Sequence, residues 1–460
     1  MNVVVIGGGI AGLAATRRLV ELLPESRPVL LERELRLGGK LRTELSDGFV
    51  IEASADSFLS RKARGIALCE ELGLRDELVG RRPEYAQSFV RRGRELHPLP
   101  EGLTGMIPSD LGALETSMLL SPEGKARLAA EVEVPVAPGS ADESIASFVS
   151  RRLGRESYEN LVEPLMTGIY GGDGKQLSLQ STFPQLRALE LEHGSILKGL
   201  AAQAASDGGY PPFVTLASGM ETLVRELATA LEGRVDVALG VSAQSLRLRS
   251  DGFEVELERG PVLGAGAVIL ATPAFASAPL LAGVDPVLAA LHEDIPYASS
   301  AVVTLAYREE DVAHPLDGYG YVVPRVEGTD VLACTWSSRK WKGRAPEGTA
   351  LIRVYAGRFG GRDVTELSDD ELVAVANEEV GLLGIAAEPI LTRIHRWPRG
   401  MPQYVLGHPE RLERIEELLT GIPGLALAGA AYRGVGIPDC IRSGEEAAES
   451  VVRAVAGATA

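Results

Sequence analysis

Three glycines near the N-terminus, Gly7, Gly9 and Gly12, stand in G-x-G-x-x-G spacing, and Glu32 follows twenty residues after the last of them. Such a set can hold the pyrophosphate and one ribose of a dinucleotide. The first glycine permits a tight turn, the second lets backbone approach a diphosphate, and the third lets a helix pack closely on a strand. The acid accepts ribose hydroxyls. This chemistry needs an apolar strand before the glycines and a helix after them. Val3 to Ile6 is a continuous apolar run, and Ile10 to Leu23 consists of good helix formers that Pro24 stops. "PVLLE" supplies a second strand ending at Glu32. The pattern predicts ADP-ribose binding through Gly7, Gly8, Gly9, Ile10, Ala11, Gly12 and Glu32. A second unit of the same kind closes the chain: "LALAGAAYRGVGIPDCIRSGEEAAESVV", Leu425 to Val452, reads as a short strand, a glycine-broken turn and a helix.

The bulk properties narrow what these units serve. A chain of 460 residues is expected to form two or three domains. The net charge of -17 argues against nucleic acid as a partner and against charge-driven binding to anionic lipid. An anionic substrate would need a local basic pocket. Cys69, Cys334 and Cys440 lie far apart without CxxC spacing, as expected of free thiols in a reducing, cytoplasmic setting. The six histidines show no HxxxH or HxxEH pattern, so no metal site is expected. The N-terminus has no basic segment ahead of its apolar run, which speaks against a targeting peptide. Gly264 to Val284 carries no charge over 21 residues, enough to span a bilayer. Pro273 and Pro279 interrupt it, however, and "AVILAT" before a proline reads as a buried strand.

The remaining elements predict an α/β chain of several units. A helix is expected over Met220 to Leu231, with strands at Val235 to Val241, in "DGFEVELE" and in "AVILAT". These would join residues 1–60, 210–280 and 390–460 in a Rossmann-like domain. Residues 85–205, with amphipathic stretches such as "ESIASFVSRRLG", would form a helical domain roofing a pocket. Residues 61–84 and 285–390, with the alternating "AVVTLAYREE", "GYGYVVPR" and "LIRVYAGRF", would form a mixed-sheet substrate domain.

The Gly38–Gly39 pair in "ERELRLGGKLRT", just after the ribose acid, resembles the FAD-binding oxidases of the amine oxidase and protoporphyrinogen oxidase superfamily. "LVEPLMTGIYGGDGKQLSLQSTFPQL" (Leu161–Leu186), "HRWPRGMPQYVLGHPERL" (His395–Leu412) and "GAAYRGVGIPDCIRSG" (Gly429–Gly444) strengthen the likeness to the porphyrinogen oxidases. Within "RRGRELHPLPEGLTGMIPSD" (Arg91–Asp110), the stretch "LHPLPEG…GMIPS" is similar to the coproporphyrinogen III oxidases of Gram-positive bacteria. The resemblance implies that the two glycine units hold opposite ends of one FAD. Arg33 and Lys40 would lie on the nucleotide side, and the Val241 backbone would meet adenine. Trp397, Val435, Gly436 and Ile437 would meet the flavin, with a helix dipole favouring the anionic reduced ring. Tyr404 and Tyr432 are further aromatic candidates near that ring.

One stretch departs from the family pattern. Where E-x-G-P-[DN]-S-F is usual, this chain has Ser54 and Ala55 in place of glycine and proline, followed by Asp56 and Ser57. A serine would strain a turn that needs positive φ, so either the turn is relaxed here or the flavin contact has shifted; Ser54, Ala55, Asp56 and Ser57 are kept as expected contacts. For the substrate, the resemblance implies a porphyrinogen whose six electrons leave in three two-electron steps through FAD, with O2 reduced to H2O2. Coproporphyrinogen III is the expected substrate and protoporphyrinogen IX the alternative. A contact with the next heme-pathway enzyme would follow. Gly168, Ile169 and Tyr170 would line the pocket, although a helix-ending turn with a core tyrosine explains them equally well. Arg61, Lys62 and Arg64 would receive propionates, or else form the solvated start of a helix.

The chemistry needs no Ser-His-Asp set or carboxylate pair, and none is evident. His193, His395 and His408 read as structural. A flavin amine oxidase is the nearest rival. Some of those enzymes attach FAD to a cysteine before the C-terminal glycine turn, whereas here that stretch is Gly429-Ala430-Ala431-Tyr432 and Cys440 follows the turn, so the flavin is expected to be non-covalent. A redox-neutral mutase or isomerase, and a redox-silent binding protein, are the other classes.

Overall fold

Val3–Ile6 is wholly buried, as a strand with neighbours on both sides and covered on both faces must be. In this computed structural model, which describes residues 2–104, 106–108, 110–139, 141–202 and 209–458, it pairs in parallel with Val29–Glu32 and Ala267–Leu270. Asp236–Leu239 and Leu425–Leu427 complete the edges of a five-stranded parallel sheet. The helices Ile10–Leu22, Glu221–Leu231 and Ile437–Ala458 cover one face, where Leu13, Leu223 and Ile441 join Val3 and Val5 in one core. The antiparallel strands Ala243–Arg249, Gly252–Leu257 and Leu263–Ala265 cover the other face with the helix His408–Thr420.

The first and last helices touch where a side chain would not fit. A Cβ on Gly444 would lie 2.1 Å from the Ala11 carbonyl oxygen. The two strand–turn–helix units, more than four hundred residues apart in sequence, are therefore packed neighbours. The charge-free stretch from Gly264 is the strand Ala267–Leu270 followed by the short helix Ala274–Leu281 with Pro279 inside it. Among the described residues no helix is long and apolar enough to cross a membrane.

The second layer is a mixed seven-stranded sheet. Its order is Leu391–Pro402, Tyr297–Arg308, Thr349–Ala356, Val331–Trp336, Gly318–Val322, Gln87–Arg92 and Glu95–Pro98. Two placements differ from the expected division of the chain. Gln87–Arg92 and Glu95–Pro98, expected in the helical segment, form one end of this sheet, and Leu391–Pro402, expected in the nucleotide fold, forms the other. Both are backbone pairings over long sequence separation, which local periodicity does not encode. One face packs Tyr321, Trp336, Ile352 and Val354 against Leu372, Ala376 and Val380 of the helix Asp369–Gly381. The two-residue period then turns Val322, Ala333, Thr335, Arg353 and Tyr355 to the opposite face.

The helices Ile145–Leu153, Glu163–Tyr170, Pro184–His193 and Ile196–Ala202 form the third layer around Phe148, Leu161, Met166 and Leu186. The expected end of this segment at residue 205 lies outside the described residues.

Candidate functional site

Gly7 has φ +109°, and a Cβ on Gly12 would lie 1.8 Å from the Gly7 carbonyl oxygen, so turn and helix meet backbone to backbone. A Cβ on Gly9 would meet nothing within 4 Å. The helix Ile10–Leu22 begins there with no capping side chain and no acid in its first turn. Its first N–H groups thus have no side-chain acceptor among the described residues, and a Gly9 side chain would meet open space, an arrangement suited to an anion such as a diphosphate.

Glu32 is buried at the end of its strand. Its carboxylate accepts hydrogen bonds from the N–H of Gly8 at 2.7 Å and of Glu34 at 2.8 Å. Gly38 donates to the Gly8 carbonyl at 2.8 Å, which ties the second glycine pair to the first turn. Val241 donates its N–H to the Glu32 carbonyl at 2.9 Å. The structure therefore brings Gly7 to Gly12, Glu32 and Val241 together. Arg33 is exposed and, among the described residues, pairs only with the neighbouring Glu34, at 3.2 Å.

Lys40 retains accessible surface although protein surrounds it, as a side chain bordering an internal cleft does. Burial depresses its pKa, and its ammonium donates to the Gly400 carbonyl. No carboxylate pairs with it among the described residues. Gly400 lies in a bulge of the strand Leu391–Pro402, where the pairing steps from Ala298–Met401 to Ser300–Trp397. Arg399 within that bulge has φ +47°, a strained conformation for a residue with a side chain. Trp397 donates its indole N–H to the Ala53 carbonyl at 2.8 Å.

The segment after Ala53 carries one relief and one correction. Ser54 has no positive φ, so the missing glycine costs no strain; its hydroxyl donates to the Lys40 carbonyl at 2.5 Å. Ala55 is exposed, and Ser57 donates its hydroxyl to Asp56 at 2.8 Å. Asp56 was expected to touch the cofactor, but its carboxylate is buried and fully engaged. It accepts from Lys340 Nζ at 2.9 and 3.1 Å and from Trp341 Nε1 at 3.0 Å, and Arg353 lies 3.6 Å away. Burial by itself would raise this carboxyl's pKa; Lys340 and Arg353 outweigh that and hold it well below the usual carboxylate range. Asp56 fastens the Ser54–Ser57 segment to the sheet.

The C-terminal glycine turn is held from two sides. The Tyr404 hydroxyl donates to the Ala430 carbonyl at 2.6 Å and accepts from Gly434 N–H at 2.8 Å. Asp439 accepts from Gly436 N–H at 3.2 Å and pairs with Lys62. This corrects two expectations. The Gly436 N–H is directed at Asp439, which leaves the N–H groups of Val435 and Ile437 for a flavin. Lys62, expected at a substrate entrance, braces the turn instead. Arg64 is likewise engaged, with Glu71 at 2.6 Å and Glu445 at 2.5 Å. Arg61 is exposed and, alone of the three, has no partner among the described residues.

Gly168 and Ile169 are exposed on the helix Glu163–Tyr170, and a Cβ on Gly168 would come no closer to a neighbour than Val322 at 3.8 Å. That helix thus approaches the free face of the large sheet, where Val322, Ala333, Thr335 and Tyr355 are half-buried. These four half-buried side chains share that face of the sheet, and nothing in the sequence singles them out. Strand alternation showed that each strand has two faces but not which face a helix would cover. Tyr170 was expected on the wall too, but its ring is buried in the helical core, edge-on to Phe183 at 5.7 Å.

Burial pushes His408 down to about 4 and holds it neutral, and it pushes the thiol of Cys440 up to about 12. His395 is also pushed down by burial. These groups stay uncharged at neutral pH, so none stands ready as a charged acid or thiolate.

The family model for flavin containing amine oxidoreductases matches residues 10–452, and the chain belongs to that family. The chain is similar to coproporphyrinogen III oxidase of Bacillus subtilis (strain 168), at 37% identity over 459 residues and 97% of each chain. It is also similar to coproporphyrinogen III oxidase of Staphylococcus aureus (strain NCTC 8325 / PS 47), at 32% identity over 98% of this chain and 99% of that one. Among crystal structures, a protein from Exiguobacterium sp. 255-15 assigned as a protoporphyrinogen oxidase superposes with a TM-score of 0.88, at 33% identity over 98% of both chains. The chain is an oxidoreductase and its cofactor is a flavin, FAD. The open space at Gly9, the acid at Glu32 and the N–H groups of Val435 and Ile437, for which no acceptor stands among the described residues, fit the two ends of that molecule.

Proposed function

We propose that this chain oxidises coproporphyrinogen III to coproporphyrin III in the cytoplasm as a step of heme biosynthesis, with dioxygen as electron acceptor and hand-over to the next heme-pathway enzyme. The observation that carries the reading is the likeness to the Bacillus subtilis relative over 97% of both chains, because a match of that extent spans nearly the whole fold. FAD, when bound, supplies a two-electron acceptor used three times per macrocycle and restored by dioxygen with release of hydrogen peroxide. The chain's own residues bind and orient. Gly168 and Ile169 on one side and Val322, Ala333 and Tyr355 on the other offer two walls for a flat macrocycle and keep water from it.

The test is oxygen consumption by the purified protein with coproporphyrinogen III and, in parallel, protoporphyrinogen IX. The second substrate is included because the Exiguobacterium relative is assigned to it. Faster turnover of protoporphyrinogen would overturn the substrate assignment, and no turnover of either would overturn the reaction.

Two expected outcomes follow from the site. Cys440 lies buried inside the last helix, beyond the turn, with its thiol protonated. Heat or acid should therefore release FAD into a yellow supernatant; flavin left in the pellet would mean a covalent bond. Coproporphyrinogen carries four propionates, and an acidic protein of net charge -17 repels them except near free cations such as Arg61. Arg61→Ala should raise KM for coproporphyrinogen about two- to five-fold with kcat unchanged, the range of an exposed ion pair, and added salt should shrink the difference. An unchanged KM at low salt would remove Arg61 from substrate binding.

A further inference from the structure

Tyr404 lies just past the end of the strand Leu391–Pro402 and is wholly buried in the core of the helical layer. Its phenol joins both limbs of the C-terminal glycine turn, through the Ala430 carbonyl at 2.6 Å and the Gly434 N–H at 2.8 Å. Gly434 has φ +113°, so this limb is set in a conformation that side chains rarely adopt. The next three residues are Val435, Gly436 and Ile437. The Tyr404 ring stacks on His408, with centroids 4.4 Å apart and planes 10° apart, and His408 Nε2 donates to the Tyr432 carbonyl at 3.0 Å. A third point of the same turn is thereby fixed through the stack.

This segment also reaches the helix Glu163–Tyr170 and the chain just after it. Ser178 donates its N–H to the Tyr404 carbonyl at 2.8 Å, and Gln403 Nε2 donates to the Tyr170 carbonyl, at the end of the Gly168–Ile169 helix, at 2.8 Å. We propose that Tyr404 is a positioning residue for the reaction: its buried phenol fixes the Ala430–Gly434 turn, and so the direction of the Val435 and Ile437 N–H groups toward the flavin, while Gln403 beside it sets the substrate-side helix against the same turn. The inference rests on the FAD placement in the function proposed above. It assigns Tyr404 no contact with the ring and no proton transfer. Burial keeps the phenol protonated, as the bond to Ala430 requires. N–H groups held in place at a helix N-terminus favour the reduced, anionic flavin over the oxidised one, and a turn free to move favours it less.

The test is Tyr404→Phe in the FAD-loaded full-length protein. Phenylalanine keeps the stack on His408 and removes both hydrogen bonds. The expected result is a roughly ten-fold loss in the preference for reduced over oxidised FAD, read as a midpoint potential about 30 mV lower, since a ten-fold change in a two-electron couple is about that size. The flavin absorption bands should shift and kcat should fall, with KM for coproporphyrinogen within about two-fold of wild type. Gln403→Leu should do the reverse, raising KM and leaving the potential unchanged. A merely structural tyrosine would lower the melting temperature and move neither the potential nor the spectrum of the folded fraction. That pattern, in FAD-loaded Tyr404→Phe, overturns the proposal. Should Tyr404→Phe fail to fold, His408→Leu removes the stack and the bond to the Tyr432 carbonyl and keeps both phenol bonds; the potential should then stay near wild type, and a fall of about 30 mV would give the turn to His408 rather than to the phenol and overturn the proposal. A wild-type protein that holds no FAD would remove the functional reading and this proposal together.

Discussion

Asp56→Ala is expected to lower the stability of the fold by about 3–5 kcal/mol, the cost of leaving a buried ion pair without one partner. Lys340, Trp341 and Ser57 all donate to this carboxylate, and Arg353 stands 3.6 Å from it. With alanine in place, Lys340 and Arg353 would remain as two neighbouring cations without the carboxylate that stands between them. Urea unfolding followed by circular dichroism measures the loss; a change below 1 kcal/mol, the range of an exposed pair, would show that water or another anion reaches the two cations. The same group sets an acid limit. Its folded pKa is depressed below the ordinary 3.8. Between the two pKa values the folded state binds fewer protons than the unfolded one. Its contribution is therefore whole above about pH 4 and is lost as pH falls further. Wild type should lose stability more steeply below pH 4 than Asp56→Ala, which lacks the group.

Glu32→Ala should weaken FAD binding roughly ten- to a hundred-fold, as the loss of a charged hydrogen-bond acceptor worth about 1.5–3 kcal/mol implies. The carboxylate holds the Gly8 N–H at 2.7 Å and the Glu34 N–H at 2.8 Å, so it orders the glycine turn as well as offering oxygen to a ribose. Fluorescence titration of the apoprotein with FAD reads the affinity. Glu32→Gln, which keeps one acceptor oxygen, should fall between alanine and wild type. Affinity equal to wild type in Glu32→Ala would mean that the glycine turn holds its shape, and FAD its place, without the acid.

Those two residues mark how far reading along the chain reaches. The place of Glu32 at the end of "PVLLE", with glycines at fixed offsets before it, is a local pattern, and strand, turn and helix all appear where that pattern puts them. Asp56 sits in an equally recognisable stretch, yet its partners Lys340, Trp341 and Arg353 are nearly three hundred residues away. Nothing in "ADSFLS" or "SSRKWKG" announces that meeting. Lys62 and Arg64 teach the same lesson in the opposite direction. A run of basic residues after a cofactor segment reads as a docking site for anions, but Asp439, Glu445 and Glu71 neutralise two of its three members.

What the sequence by itself determined was therefore everything that depends on short periods and on residue types that leave little choice. These are the two glycine turns, the helices and strands beside them, and the likeness to FAD-dependent porphyrinogen oxidases carried by several stretches at once. Tertiary structure alone decided which face of the strands Val331–Trp336 and Thr349–Ala356 the helix Asp369–Gly381 covers, which charges are paired, and that Tyr404 is joined to the glycine turn. The physical reason is that a two-residue or 3.6-residue period fixes which side chains share a face. Whether that face meets a helix, a carboxylate or open space is set by packing between segments hundreds of residues apart, through contacts whose partners have no fixed offset along the chain.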